Sequence, residues 1–395
     1  MLAQPEKIQR HVVMCAAFFP PHIGGIERYV FSISKHLNLR GWKVTILTTQ
    51  LHNTALTEKY YGLRIVRIPS VSLASGRMPI PKIWQRAVRK SLRDLLNSKP
   101  DVYVIHTHLF PLSLIGAAMG WSKSNPALVI GHGTGHIRTG KSWLDSCLHI
   151  YEHLMAKTLN LFSESYFAVS HQAEVWWSHF GIKSSGTIHN GVDLKDTPAK
   201  KTDFLPGYGL SEQTKIVAFA ARLLPDKGAD TVINAFNAIE TRYPDLYLFI
   251  AGDGPAANSL ITLAAGHPRI VFLGEVDHST VLSLLDAADI FAYPSRYPEG
   301  LPTCILEAGL MNCAVVATPA GGVKEILIDS DHGMIIESEL QLQETLCTLL
   351  ENESLRKKLA KKLRARVIAY FNWDRISEEL EVQMISSIDK RNLKS

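Results

Sequence analysis

The chain has 395 residues but no apolar run of the roughly 18 residues that a membrane-spanning helix requires. It is also poor in cysteine. Cys15, Cys147, Cys304, Cys313 and Cys347 are odd in number, widely scattered and never in C-x-x-C spacing, which argues against a disulfide framework and for a reducing compartment. Two cations and then HVVMCAAFF stand between Lys7 and Phe19, but Pro20 and Pro21 follow where a small-residue cleavage site would be needed. The run is therefore read as a first buried strand and not a signal segment. The protein is expected in the cytoplasm, or on a membrane from its cytoplasmic side.

Acid is scarce in one half only. Residues 1–190 hold 21 Lys and Arg against 9 Asp and Glu, while residues 191–395 hold 21 against 28. Thirteen of the 16 histidines also lie in the first part. The length suits two domains, and the unequal charge suggests that the two carry different ligands. A hydrophobic share of 46% and a charged share of 20% fit a soluble globular chain.

The most informative stretch runs from Asp289 to Glu325, DIFAYPSRYPEGLPTCILEAGLMNCAVVATPAGGVKE. Ile290–Tyr293 reads as a strand stopped by Pro294 and Ser295. A loop with Pro298, Gly300 and Pro302 follows, then a helix through Ile305, Leu306 and Ala308. A second strand, Ala314–Ala317, ends at Pro319 and the pair Gly321 and Gly322. This is the order of a doubly wound sheet, whose ligands lie beyond the carboxyl strand ends. Glu299 and Glu307 are placed there, with seven residues between them.

The second half opens with KIVAFAARLLPDKGADTVINAF, a buried strand, a turn at Pro225 and Asp226, and a helix with Lys227 in its first turn. Arg222 and Lys227 thus reach the same sheet edge, where a bidentate and a point cation suit a diphosphate; a helix-capping pair with Asp226 is the plainer alternative. LYLFIAGDGP brings a further strand and a glycine turn at Gly252, and IVFLGEV another strand ending at Glu275 and Val276.

In the first half, strands are expected over Val12–Phe19, Val44–Thr49, Arg64–Ile68, Val102–His106, Leu128–Gly131, Tyr166–Ser170 and Thr187–Asn190, with helices between several of them, so a mostly parallel sheet follows. Gly24 and Gly25 uncover backbone amides at a helix start, a place suited to a phosphate, although a glycine pair also serves as a simple turn. His106 and His108 stand at one carboxyl strand end, His132 and His136 at another. Each alone reads as a core or rim histidine; four on neighbouring strands ask for more. HIYEH, His149 to His153, has the H-x-x-E-H order of an inverted zinc peptidase motif, with Glu152 as the base. Nothing else supports a protease.

These segments resemble the retaining glycosyltransferases of family 4. The likeness rests on Gly24 and Gly25 followed by Glu27 and Arg28, on TIHNGVDL (Thr187–Leu194), on the Arg222 and Lys227 block, on Pro294 and Ser295, on the Glu299 and Glu307 spacing, on GGVKE ending at Glu325, and on FNWDRIS (Phe371–Ser377). Ala221 departs from a usual glycine, and MNCAVV (Met311–Val316) lacks the usual glycine and proline, which is expected to alter a turn and no chemistry. The resemblance implies a GT-B fold, an α/β architecture of two doubly wound Rossmann-like domains facing across a cleft. Residues 1–194 are assigned to the acceptor side and 204–373 to the nucleotide-sugar side, with Lys195–Asp203 as hinge and helix 374–395 returning to the first domain.

It further implies donor contacts at Gly24, Gly25, Arg222, Lys227, Gly252, Glu275, Val276, Glu299, Gly300, Leu301, Pro302, Thr303 and Glu307. Glu307 would hold the ribose hydroxyls, Glu299 would meet the donor sugar, Glu275 and Val276 would meet the base, and His132 would act near the donor phosphate and sugar. His132, Glu299, Arg222 and Lys227 are the expected catalytic set. The donor is a UDP- or GDP-linked sugar, UDP being favoured on family frequency, with retention at the anomeric carbon. No metal is expected, since the cations sit where magnesium would, and neither a further cofactor nor nucleic acid. A nucleotide-sugar epimerase on the same fold and a non-catalytic sugar-nucleotide binder remain as alternatives.

The acceptor is read from RMPIPKIWQRAVRKSLRDLLNSK, residues 77–99, where Arg77, Lys82, Arg86, Arg89, Lys90, Arg93 and Lys99 face a single acid, Asp94. A helix is expected from Pro81, with Ile83, Ala87, Leu92 and Leu95 or Leu96 on one side and Trp84 near its start. It is either a solvated helix or a docking element for an anionic membrane that holds a glycan or lipid-linked acceptor.

Overall fold

The computed structural model describes residues 9–22, 24–51, 54–73, 78–137, 141–196, 204–211 and 213–393. The chain separates into two units, Met1–His189 with Trp373–Ser395, and Asn190–Asn372. Asn190 to Val192 groups with the second unit, where Val192 bridges Asn372. Of the expected hinge, residues 197–203 lie outside the described residues.

The first unit holds β1 (His11–Cys15), β2 (Lys43–Thr49), β3 (Thr57–Tyr60), β4 (Leu63–Ile68), β7 (Val102–His106), β8 (Ala127–Gly131), β9 (Ser165–Ala168) and β10 (Gly186–Thr187) in one sheet, ordered β10-β9-β8-β7-β1-β2-β4-β3. A separate hairpin joins β5 (Ser70–Leu73) to β6 (Met78–Pro81). Every residue of β1, β7 and β8 is buried, as a parallel sheet covered on both faces demands, and this is why these strands read as unbroken apolar runs. β3 is antiparallel to β4 and mostly exposed. Its sequence TEKY is a polar edge that discourages further strand pairing, and it carries no apolar signal.

Several strand limits differ from the sequence expectation. β1 stops at Cys15, not Phe19, and the strand expected to 190 spans only Gly186–Thr187. The helix expected from Pro81 begins at Arg86. Pro79 and Pro81 sit in an isolated two-stranded hairpin, where a missing amide is tolerated. Its buried face is Val88 and Leu95 with Leu92 and Leu96 packed beside them, whereas Ile83 and Ala87 are exposed. The C-terminal helix Trp373–Asn392 belongs to the first unit. It lies against the helix Gly25–Leu39, with Trp373 edge-on to Tyr29 at 5.3 Å and Glu381 accepting from Arg40 Nε at 2.6 Å and Trp42 Nε1 at 2.9 Å.

In the second unit β11 (Lys215–Ala220), β12 (Leu246–Ala251), β13 (Ile270–Gly274), β14 (Ile290–Tyr293), β15 (Ala314–Ala317) and β16 (Met334–Ile335) form a fully parallel sheet in the order β13-β12-β11-β14-β15-β16. Helices Ala229–Ile239, His278–Ala287, Thr303–Leu310 and Glu353–Tyr370 bury one face each on it. Before β15, Asn312 takes a φ of +59°. Asparagine is among the few non-glycine residues at ease there, so it turns the chain where family members carry glycine.

Helix–sheet packing in the first unit is closest at Gly116 of the helix Pro111–Ser122, where a Cβ would stand 2.5 Å from Cys15 Sγ and 2.9 Å from Ile105 Cδ1. Gly116→Ala is therefore expected to cost about 1–3 kcal/mol by overpacking. The check is the urea midpoint; an unchanged midpoint would mean that the helix stands further from β1 and β7.

Candidate active site

The strand order of the second sheet reverses between β11 and β14, and a crevice opens at the carboxyl ends of such a strand pair. The chain leaving β11 carries Arg222 and Lys227, and the chain leaving β14 carries Ser295 and Glu299. Two glycines hold these loops together. Gly228 has φ +86° and a Cβ there would collide with the carbonyl oxygen of Pro294; Gly321 has φ +58° and would collide with that of Glu299. Only glycine combines that backbone with that approach. Gly322 N donates to the Gly300 carbonyl at 2.8 Å, so the second glycine turn braces the Glu299 loop.

Glu299 is the centre of this edge and is 8% exposed. Its Oε1 accepts from Lys227 Nζ at 2.6 Å, Tyr293 Oη at 2.6 Å and Ser295 Oγ at 2.8 Å. Lys227 also lies 3.2 Å from Tyr293 Oη and 4.6 Å over the ring of Tyr297. Burial, together with the Cys304 thiol and the Glu299 carboxylate, raises the Tyr293 phenol well above its ordinary range, which keeps it a donor to Glu299. The sequence placed Lys227 on a diphosphate; here its charge is met by Glu299. The Arg222 side chain is exposed, with no hydrogen-bond or ion-pair partner among the described residues.

Glu307 is likewise buried, in the helix Thr303–Leu310, and pairs with His278 Nε2 at 3.0 Å. That helix starts after Pro302 without a side-chain cap, which leaves its first amides to another acceptor. Asn190 steadies the entry, donating from Nδ2 to the Leu301 carbonyl at 2.6 Å and to Thr303 Oγ1 at 3.3 Å. Gly252, at φ +127°, lets its backbone meet Ala221, the residue before Arg222. Glu275, exposed, and Val276, half-buried, lie in the turn after β13, which ends at Gly274.

Tyr293 and His278 carry no signal in the sequence, and Ser295 figures there as part of the family likeness but not as a partner of Glu299. Tyr293 reads as the last core residue of a strand and Ser295 as a strand terminator, and His278 adjoins a helix-capping Asp277. The chain also holds an Asp-x-Asp spacing, Asp329–Ser330–Asp331, contrary to the expectation that it has no such metal motif. It precedes β16, at the amino edge of the parallel sheet, with Asp329 bound to His332 and Asp331 to Lys358. It is thus on the opposite edge from Glu299.

In the first unit, β7 and β8 deliver His106 and His132, joined Nδ1 to Nε2 at 3.1 Å and flanked by the Tyr29 ring at 5.5 and 4.8 Å. Burial lowers both imidazoles, His132 to about 3, so the pair is neutral. Gly24 is the N-cap of the helix Gly25–Leu39 and has no side-chain cap; the carboxylate of Glu27 folds back against it and pairs with His22 at 3.2 Å. His108 packs on Trp177 and Phe180, and His136 turns away toward Glu152 and His179. The four strand-end histidines are therefore not one cluster. Nor is HIYEH a peptidase site: Glu152 is 1% exposed and is engaged by His136 Nδ1 and the Ile137 amide, so it is no available base.

Two family models match the chain, Glycosyltransferase Family 4 over residues 23–196 and Glycosyl transferases group 1 over residues 200–366. A GDP-mannose-dependent monoacylated alpha-(1-6)-phosphatidylinositol monomannoside mannosyltransferase of Corynebacterium glutamicum is 26% identical over 92% of this chain and 94% of its own. A phosphatidyl-myo-inositol mannosyltransferase of Mycobacterium tuberculosis is 27% identical over 90% of this chain and 92% of its own. Among solved structures, Anabaena HepE in complex with UDP superposes with a TM-score of 0.75 at 18% identity, covering 96% of this chain and all of that one. The two models together span most of the chain, the fold is the GT-B pairing of Rossmann-like units, and the chain belongs to the family 4 glycosyltransferases.

Proposed function

We propose that this glycosyltransferase retains configuration at the anomeric carbon, needs no metal for transfer, and moves a sugar from a nucleoside-diphosphate donor to a lipid-linked acceptor at an anionic membrane surface. The observation that carries the donor half is the cluster of Lys227, Glu299 and Arg222 at the β11–β14 edge. Arg222 and the uncapped amides of the helix Thr303–Leu310 offer positive ends to a diphosphate. Glu307 with His278 suits ribose hydroxyls, which donate to a buried carboxylate. Glu299, fixed by two hydroxyls, faces the sugar, and Lys227 turns to the diphosphate as negative charge builds there. The sugar–oxygen bond to the diphosphate breaks, the acceptor oxygen bonds the same carbon on the same face, and its proton passes to the departing diphosphate. No side chain is assigned as nucleophile.

The relatives' names divide over the base, GDP-mannose in one and UDP in the solved neighbour. The deciding experiment is a nucleotide-sugar panel read by released nucleotide, with and without crude lipid acceptors and with EDTA. Lipid-dependent release of nucleotide from one donor, undiminished by chelator, supports the reading. An epimer formed from donor alone, or a strict need for Mg²⁺ or Mn²⁺, overturns it.

Arg222→Ala should lower turnover by roughly 10²–10³, the usual loss for one transition-state charge donor. Lys227→Ala should lower it at least as far, because it also leaves Glu299 buried without its cation. Circular dichroism verifies folding, and near-normal turnover in both variants would make the pair structural. Glu307→Ala should chiefly raise KM, since ribose is held alike in ground and transition states, whereas Glu299→Gln should chiefly lower kcat. The opposite pattern would exchange the two roles.

For the membrane half, the helix Arg86–Asn97 turns Arg86, Arg89, Lys90 and Arg93 to solvent, next to Trp84 at 59% and Ile83 at 51% exposure. Each cation near an anionic leaflet contributes about 1 kcal/mol, so the group supports reversible docking. Vesicles with anionic lipid should retain the protein at low salt and release it at high salt, and neutral vesicles should not bind it. Serine at all four cationic positions should abolish attachment while nucleotide binding persists. Attachment insensitive to salt would leave the helix with its packing role only.

A further inference from the structure

Four histidines of the first unit, His136, His149, His153 and His179, gather away from the strand-end pair His106 and His132. His136, in the loop after β8, has its Nε2 2.9 Å from Nε2 of His179, the last residue of the helix His171–His179. His153, on the helix Ser142–Leu159, completes a triangle, and one nitrogen from each ring lies within 4.8 Å of the others. Tetrahedral zinc with nitrogen ligands at about 2.0–2.1 Å sets them roughly 3.4 Å apart, so small ring rotations separate one pair and close the rest. Trp176 stacks on His179 at 4.5 Å, and Phe180 lies 4.9 Å from His153, giving the cluster an apolar wall.

The tautomer is set from behind. The Glu152 carboxylate accepts the hydrogen bond of His136 Nδ1–H and is itself held by the Ile137 amide at 2.9 Å. This leaves the His136 Nε2 lone pair pointing at His179. A carboxylate behind a ligating imidazole is the second-shell arrangement that raises ligand basicity and fixes ring orientation. His149 takes no part in the triangle. It stacks on His136 at 4.0 Å, and its Nε2 is buried with no hydrogen-bond partner among the described residues.

We propose that His136, His153 and His179 form a binding site for a first-row divalent cation of the zinc class, with Glu152 as its positioning carboxylate and a fourth position open to water or an anion. Imidazole ligands suit such ions, and carboxylate- and water-preferring magnesium does not compete well for them. The ion joins the loop after β8 to two helices of the first unit. The site lies outside the donor chemistry, so it stands or falls apart from the glycosyl-transfer reading.

The experiment uses the full chain with any affinity tag removed, stripped by chelator and dialysed. Zn²⁺ is titrated by calorimetry and Co²⁺ by visible absorption, and thermal unfolding is recorded with and without each ion. Saturable one-to-one binding, a tetrahedral Co²⁺ spectrum and a raised Tm are expected. Glu152→Gln should weaken binding 10–100-fold. His153→Ala and His179→Ala, both at exposed positions and so tolerant of folding, should weaken it at least as much. His149→Ala should leave it within about threefold, whereas a peptidase-type site built on His149 and His153 would lose it. Absence of saturable binding, or affinity unchanged in both His153→Ala and His179→Ala, overturns the proposal. Nucleotide binding, measured on the same stripped samples, should not change.

Discussion

One oxygen of Glu299 receives an ammonium and two hydroxyls, and much of the second unit is arranged so that it can. A carboxylate this deeply buried is costly unless its charge is met by hydrogen bonds and an opposite charge. Lys227 arrives from the turn after β11, Tyr293 from the last position of β14, and Ser295 from the start of the loop. They converge only because β11 and β14 are neighbours in a sheet whose order reverses there. Gly228 and Gly321 then allow two loops to touch backbone to backbone, which locks the distance between cation and carboxylate. Removing either glycine would disturb the pair without touching a charged atom.

The same cluster explains why charge can move without moving the fold. Lys227 and Glu299 neutralise each other in this structure, so neither is an uncompensated charge waiting for a ligand. On the proposed reading, an incoming diphosphate would compete for Lys227 while the two hydroxyls keep their hold on Glu299. Arg222, whose exposed side chain has no such internal partner among the described residues, would on the same reading be the cation that meets it first. The two cations at this edge are therefore not equivalent, although their spacing in the sequence treats them alike.

Much of this was legible in the residues. Strands buried on both faces, such as β7 and β8, announce themselves as apolar runs, and the order of strands, glycine turns and helices fixes a doubly wound sheet. β3 and the β5–β6 hairpin were not legible, because edge strands with polar or proline-containing sequences lack the alternation of a buried face. The start of the cationic helix was misplaced for the same reason: Pro81 was read as a helix opening when it closes a strand. At the site, Arg222, Lys227, Glu299 and Glu307 stood out by type and spacing. Their partners Tyr293 and His278 did not, since neither a strand-end tyrosine nor a histidine beside a helix cap has a local signature of such a contact.

The histidines show where type and position mislead without geometry. His106, His108, His132 and His136 leave adjacent strands, yet they divide into separate environments. His106 and His132 are desolvated, hydrogen-bonded to each other and kept neutral, and His106 Nε2 is buried with no hydrogen-bond partner among the described residues. An imidazole held down to about 3 offers no positive charge at neutral pH. In this structure His132 is thus a neutral hydrogen-bonding ring. His136 faces the other way, with a carboxylate behind it and two further imidazoles in front. Burial without a carboxylate produces a neutral pair, and burial with Glu152 behind the ring produces an oriented lone pair. The difference between a hydrogen-bonding site and a metal-ligating one thus lies in a single acidic residue on the next helix.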